Sequence, residues 1–230
     1  ERRLEQANAG NKAAGSATGG QKHRGRLENQ QTAKQAQMKQ AQTKQTVIDF
    51  DALKKINPDV VSWITIPGTN IDYPLLQGKD NNQYLHKDME GRDSAAGAIF
   101  LDHGDKADLS SRHNIIYGHH MKNGTMFKDI VKYKDQQYFD EHQDIILYTP
   151  DREIHLKALA TVVANPDAIR RKIDFQSWEE FTSYIEEMTQ DASAFATVPK
   201  GTAIRRLYSF VTCSYEFQNA RTILYAYEEN

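Results

Sequence analysis

From about residue 46 onward, short apolar runs alternate with polar turns marked by Gly or Pro. Val60-Val-Ser-Trp-Ile-Thr-Ile66 is rich in β-branched and aromatic residues and stops at Pro67-Gly68, which predicts a strand closed by a turn. Ile71 to Leu76 predicts a second short strand, and Pro74 sets it at an edge or bulge. The same reading predicts strands over 97–102, 114–118, 144–149, 153–165, 203–213 and 221–227. Apolar residues at helical spacing predict a helix over 47–56, ending before Asn57-Pro58. Shorter helices are predicted over 80–87 and over 125–134, the latter capped by Thr125. The clearest helix spans 177–190, where Trp178, Phe181, Ile185 and Met188 recur at i, i+3, i+7 and i+10. Ser177 and Glu180 form a capping box at its start. About eight short strands with few long helices predict a mainly β fold, a barrel or sandwich with helical decorations. The regular βα alternation of a parallel sheet is absent, and no internal repeat is visible.

The first 45 residues break this pattern. They are rich in Gln, Ala, Lys and Gly, with Leu4, Leu27 and Met38 as their only large apolar residues. Such a segment buries too little apolar surface to offset its ordering entropy, although 27–45 has the composition of a helix. The run from Ala13 to Gly20 reads as a flexible linker. The expected organisation is a flexible or partly helical basic segment over 1–45 and a folded domain over 46–230. Charge divides at the same point: nine Lys/Arg against three Asp/Glu give the segment +6, and the chain total of −2 leaves −8 for the remainder. A basic arm suits a solvated tether, an anionic membrane surface or nucleic acid. The acidic domain lacks a basic stripe, which argues against nucleic acid. No run approaches the ~18 apolar residues of a membrane span.

Cys213 is the only cysteine, so it cannot close an internal disulfide and is explained either by packing or by chemistry. Composition favours packing, because free cysteine is among the most buried residue types. Two neighbours restore the balance. Arg221 opens the next apolar run, and a hairpin would set guanidinium beside thiol at one rim of a sheet. Gly118-His119-His120 follows a strand end, where β folds commonly present functional groups. A cysteine nucleophile needs a basic or ion-pair partner and a donor for the developing oxyanion. His103 and His113 flank the polar loop 104–112, while His86, His142 and His155 have no special context. The bland alternatives are a polar loop for His119 and His120, and a surface pairing of Arg221 with Glu216 or Glu228.

Several blocks resemble the class B sortases, the cysteine transpeptidases of Gram-positive cell surfaces, and the resemblance covers about 47–230. Asn57 to Pro74, Asp80 to Leu85 and Gly97 to Asp102 are similar to the family's opening blocks. Asn114-Ile-Ile-Tyr-Gly-His-His-Met-Lys-Asn-Gly-Thr-Met-Phe127 is similar to its histidine block. Ser209-Phe-Val-Thr-Cys213 stands where the family carries Thr-Leu-x-Thr-Cys, with Ser209 and Phe210 as departures. The resemblance implies a sortase-type eight-stranded β-barrel with an N-terminal helix and one long amphipathic helix before the cysteine strand. It implies catalytic roles for Cys213, Arg221 and His119 rather than His120. It further implies substrate contacts at Asn81, Leu85, Val211, Thr212 and Ser214, although strand alternation aims Thr212 to the opposite face from the thiol. Tyr215 and Phe217 are candidates for a groove wall or for loop packing. The family is generally calcium-independent, so no cofactor or metal is implied.

The implied reaction cleaves a C-terminal sorting motif and transfers it through a thioacyl-enzyme to an amine. That amine belongs to a cell-wall peptide or, in the pilus-polymerase variant, to a pilin lysine. The implied location is the outer face of the cytoplasmic membrane, with an anchor upstream of Glu1. A non-enzymatic β-barrel binding module with a merely packed cysteine is the competing class.

Overall fold

The computed structural model describes residues 48–165, 170–213 and 219–229. Nine strands occur among them, and eight close into a ring. In chain order they are β1 (Val60–Thr65), β2 (Asp72–Leu76), β3 (Ile99–Leu101), β4 (His113–Tyr117), β5 (Asp144–Tyr148), β6 (Glu153–Ala164), β7 (Ala194–Phe195), β8 (Leu207–Cys213) and β9 (Arg221–Glu228). The order around the barrel is β5-β1-β2-β3-β4-β8-β9-β6, and pairing of β6 with β5 shuts it. Most neighbours are antiparallel; β2–β3 and β4–β8 are parallel. The twelve residues of β6 are long enough to pair β5 with their first half and the two-residue β7 with their second.

Strand alternation sorts side chains between two compartments. Ile116, Tyr208, Phe210, Leu224 and Ala226 point into the barrel and pack with Leu75, Leu101 and Phe127. Leu207, Ile223, Tyr225 and Tyr227 lie on the outer wall, where α3 (Trp178–Thr189) covers them with Phe181, Tyr184, Ile185 and Met188. Ser177 caps this helix, its hydroxyl accepting from the Glu180 amide at 3.1 Å. The predicted stripe is corrected at one position. Trp178 is 38% exposed and lies beneath the Arg112 guanidinium, while Tyr184 takes the buried place. A third cluster around Val60, Tyr84 and Phe100 is packed by Phe50 and Leu53 of α1 (Phe50–Ile56).

Other expectations are corrected in detail. The helix over 80–87 is a single 3-10 turn, Gln83–Leu85, because the Asp80 carboxylate accepts from the amides of Asn82 and Gln83 and fixes a tight turn. The helix over 125–134 is 3-10 and begins at Phe127. Thr125 does not cap it; its hydroxyl donates to Asn123 Oδ1, and Met126 sits at φ 58°. The strand predicted over 203–213 begins only at Leu207. β7 and α2 (Gln136–Glu141, capped by Asp135) were not anticipated.

Candidate active site

Register alone brings three distant residues to one rim. In the antiparallel β8–β9 pair Cys213 stands opposite Arg221. β4 flanks β8 on its other side, running parallel, with Tyr117 opposite Val211. Two further residues along each strand reach Cys213 and His119, and the Gly118 amide still donates to the Val211 carbonyl at 3.1 Å.

The histidine is held from two directions. Its Nε2–H donates to the Leu85 carbonyl at 2.8 Å; a carbonyl only accepts, so the proton sits on Nε2 and Nδ1 is left to exchange one. The loop supplying that carbonyl is pressed against Gly97, where a Cβ would lie 2.8 Å from the Leu85 oxygen and 2.5 Å from that of Tyr84. Gly97 also has φ +58°, so glycine is required there twice over. On the other side, a Cβ at Gly118 would meet Ile99 Cδ1 at 2.5 Å and the Phe127 ring at 2.7 Å. The Phe127 amide in turn donates to the His119 carbonyl at 2.9 Å.

The Arg221 guanidinium is steered by its own turn, Nη1 donating to the carbonyls of Asn219 (2.9 Å) and Ala220 (3.2 Å). It pairs with no carboxylate among the described residues. Glu228 instead binds Arg152 and Arg206, each at 2.7 Å, at the far end of β9. The surface pairing of Arg221 with Glu228 is thereby set aside, and Glu216 lies outside the described residues.

A cleft of about 320 Å³ opens where these groups meet. Cys213, His119 and Arg221 line it together with Asn81, Leu85, Val211 and Thr212. Thr212 is only 2% exposed, so its side chain is buried as strand alternation requires. Ser214, Tyr215 and Phe217 lie outside the described residues. His120 is not among the lining residues; it bridges back to Met126.

Phe100 and Tyr117 form a wall that the sequence reading missed, their rings 5.2 Å apart. The alternation of β4 with its neighbours was the available signal for Tyr117. Asn81 is less free than expected, because its Nδ2 donates to Asp102 at 2.8 Å while its Oδ1 accepts from the His103 amide at 2.9 Å.

His113, one of the loop-flanking candidates, is fully buried under α3. It accepts from the Ser209 hydroxyl at Nε2 (2.5 Å) and donates from Nδ1 to the Lys172 carbonyl (2.8 Å). Burial lowers its pKa to about 4, so it is a neutral structural residue. Asp105, also buried, is pushed up to about 7 by desolvation despite accepting from the Ile115 amide at 2.8 Å. No helix among the described residues is long and apolar enough to cross a membrane.

Comparison with known proteins agrees with this geometry. The sortase domain family model matches residues 64–229. Sortase B of Listeria monocytogenes is 31% identical over 174 residues, covering 75% of this chain and 70% of that protein. The structure of Clostridium perfringens sortase B matches with a TM-score of 0.72 at 30% identity, covering 79% of this chain and all of that one. A Staphylococcus aureus sortase B–substrate complex matches with a TM-score of 0.71 at 25% identity, covering 91% of this chain and 97% of that one. The eight-stranded ring and its lone rim cysteine are thus those of a known enzyme group, and the chain belongs to the sortase family, as a class B member and a cysteine transpeptidase.

Proposed function

We propose that this enzyme cleaves a C-terminal sorting motif of surface proteins and joins the motif to an amine of the cell wall at the surface of a Gram-positive cell. In this reading Cys213 is the nucleophile, His119 the proton carrier and Arg221 the donor to substrate carbonyl and oxyanion. The observation that supports it most is the shared rim level of the three side chains, set by the β4–β8–β9 register.

The reaction runs in two steps. The Cys213 thiolate adds to the scissile carbonyl carbon. The C–N bond then breaks as the His119 imidazolium gives its Nδ1 proton to the leaving amine, and a thioester remains. An incoming amine adds to the thioester carbonyl, returns a proton to His119 and expels the thiolate. Arg221, with Nη1 committed to two backbone carbonyls, has its other N–H groups for the oxyanion.

The motif lies in the cleft against Leu85, Val211 and Tyr117, with Asn81 offering its second amide hydrogen. An adjoining cavity of about 270 Å³, bordered by Tyr117, Val211 and Arg221, lengthens the groove. The staphylococcal relative was solved with substrate, which supports a peptide in the corresponding groove here.

Incubation with a library of candidate motif peptides, read by mass spectrometry for a thioacyl adduct, tests the proposal. The wild type and His120→Ala are expected to form the adduct, whereas Cys213→Ala and His119→Ala are not. An adduct in Cys213→Ala, or loss of activity with His120→Ala but not with His119→Ala, would overturn the assignment. Supplying a wall-type peptide amine or a pilin lysine to the acylated enzyme separates wall anchoring from pilin joining.

A further inference from the structure

Asp102 lies one residue past β3, is 0% exposed and stands outside the reacting groups. Its carboxylate gathers donors from four parts of the chain. Arg171 reaches it in a fork, Nε to Oδ2 at 2.5 Å and Nη2 to Oδ1 at 2.6 Å. The Gly104 amide donates to Oδ1 at 2.9 Å. Asn81 Nδ2 and the Tyr117 hydroxyl donate to Oδ2 at 2.8 and 3.0 Å. Burial alone would raise the Asp102 pKa, but Arg171 and the other donors more than offset it, so the group stays an anion.

Two of these partners, Asn81 and Tyr117, line the cleft that holds Cys213. Arg171 comes from a third place, the connection between β6 and α3, and lines the adjoining cavity that Tyr117 and Arg221 also border. A single buried charge therefore ties that connection to two side chains of the cleft wall. A two-point guanidinium clamp fixes orientation as well as distance, which a lone ammonium does not.

We propose that the Arg171–Asp102 pair is a positioning device for the acyl-donor groove: it fastens the β6–α3 connection to the wall and, by holding the Tyr117 hydroxyl and one Asn81 amide hydrogen, fixes the Tyr117 ring as the groove wall and leaves the second Asn81 amide hydrogen for the incoming peptide. The proposal rests on the reading of this cleft as the site of the sorting motif. Neither Arg171 nor Asp102 is a catalytic residue in it.

The experiment compares wild type, Arg171→Gln, Arg171→Lys and Tyr117→Phe. Three readouts are taken: steady-state kinetics with a motif peptide, alkylation of Cys213 by iodoacetamide, and hydrogen exchange at 81–86 and 170–175. Arg171→Gln is expected to raise the peptide KM about ten- to a hundredfold, since misplacement of groups remote from the chemistry can cost that much. Its alkylation rate should stay within about twofold of wild type, and its exchange should rise in both segments. Arg171→Lys should recover part of the KM. Tyr117→Phe keeps the ion pair and the fold while removing one donor, and should raise KM by several fold without raising exchange at 170–175.

An unchanged KM in Arg171→Gln, or a fall in alkylation parallel to the loss of turnover, would overturn the proposal. So would protected exchange at 81–86 once Arg171 is gone. Failure of the wild type to form an adduct with any peptide would instead remove the functional reading, and the exchange data would still report whether the clamp exists.

Discussion

Replacement of Gly118 by alanine tests how closely barrel packing is bound to the position of His119, the residue proposed above as proton carrier. The added methyl would lie 2.5 Å from Ile99 Cδ1 and 2.7 Å from two atoms of the Phe127 ring. Carbon–carbon contacts are comfortable only at about 3.5–4.0 Å. Neither neighbour has room to retreat, since Ile99 is 1% exposed and Phe127 0%, both within the barrel core. Overpacking of this severity belongs at the upper end of its usual cost, about 2–3 kcal/mol. Loss of unfolded-chain freedom returns up to about 1 kcal/mol. The net destabilisation is about 1–3 kcal/mol, and at ~2–4 °C per kcal/mol for a domain of this size the midpoint should fall by about 2–12 °C.

Activity should suffer more, because Phe127 is hydrogen-bonded to the His119 backbone and a displacement of order 1 Å there costs up to about a hundredfold. Thermal unfolding followed by circular dichroism, with peptide turnover measured in parallel, reads both effects. Ile99→Val deletes the nearest atom, so the double variant should lose less stability than the sum of the single changes. A midpoint within 1 °C of wild type, turnover within about twofold, or strict additivity with Ile99→Val would refute the reasoning.

Arg221→Lys keeps the charge but loses the fork that binds two backbone carbonyls while facing the cleft, so kcat/KM with a motif peptide should fall about 10²–10³-fold; near-normal turnover would remove Arg221 from the mechanism. Stability against pH carries two opposed contributions. Asp105, with a folded pKa of about 7 against an ordinary 3.8, stabilises the fold most below pH 3.8 and loses that contribution as pH rises to 7. His113, lowered to about 4 from 6.5, contributes stability above pH 6.5 that is lost as pH falls toward 4. Asp105→Asn should therefore leave stability rising from pH 4 to 6.5 and be neutral or stabilising at pH 8; urea titrations across that range check it, and an unchanged pH profile would refute the assignment to Asp105.

Much of the barrel was legible because half-buried strands announce themselves by alternation and by Pro-Gly or polar breaks, as at Val60–Thr65 and Arg221–Glu228. The Cys213–Arg221 pairing followed from a hairpin of adjacent segments. What the chain did not disclose was long-range pairing. The parallel contact of β4 with β8 joins residues almost a hundred positions apart, and it decides that His113 is buried and His119 lies at the rim. Trp178 misled because an apolar stripe does not say how far the covered wall extends: Phe181 is fully buried against it, whereas Trp178 at the start of α3 stays 38% exposed beneath Arg112. Asp80 and Thr125 misled because their side chains serve local turns instead of starting helices. The Arg171 clamp on Asp102 left no trace in spacing, since its partners are drawn together only by the closed ring.

Closure of that ring has a consequence for discrimination. β4, β8 and β9, which carry the rim, each have both flanks occupied by neighbouring strands. Among the described residues an extended polypeptide therefore finds no vacant backbone ladder on these three strands to zip onto, the generic route by which sheets capture strands of any composition. If the groove takes a sorting motif as proposed above, admission rests on side chains fitting it, and selectivity among extended tails is set before any bond is broken.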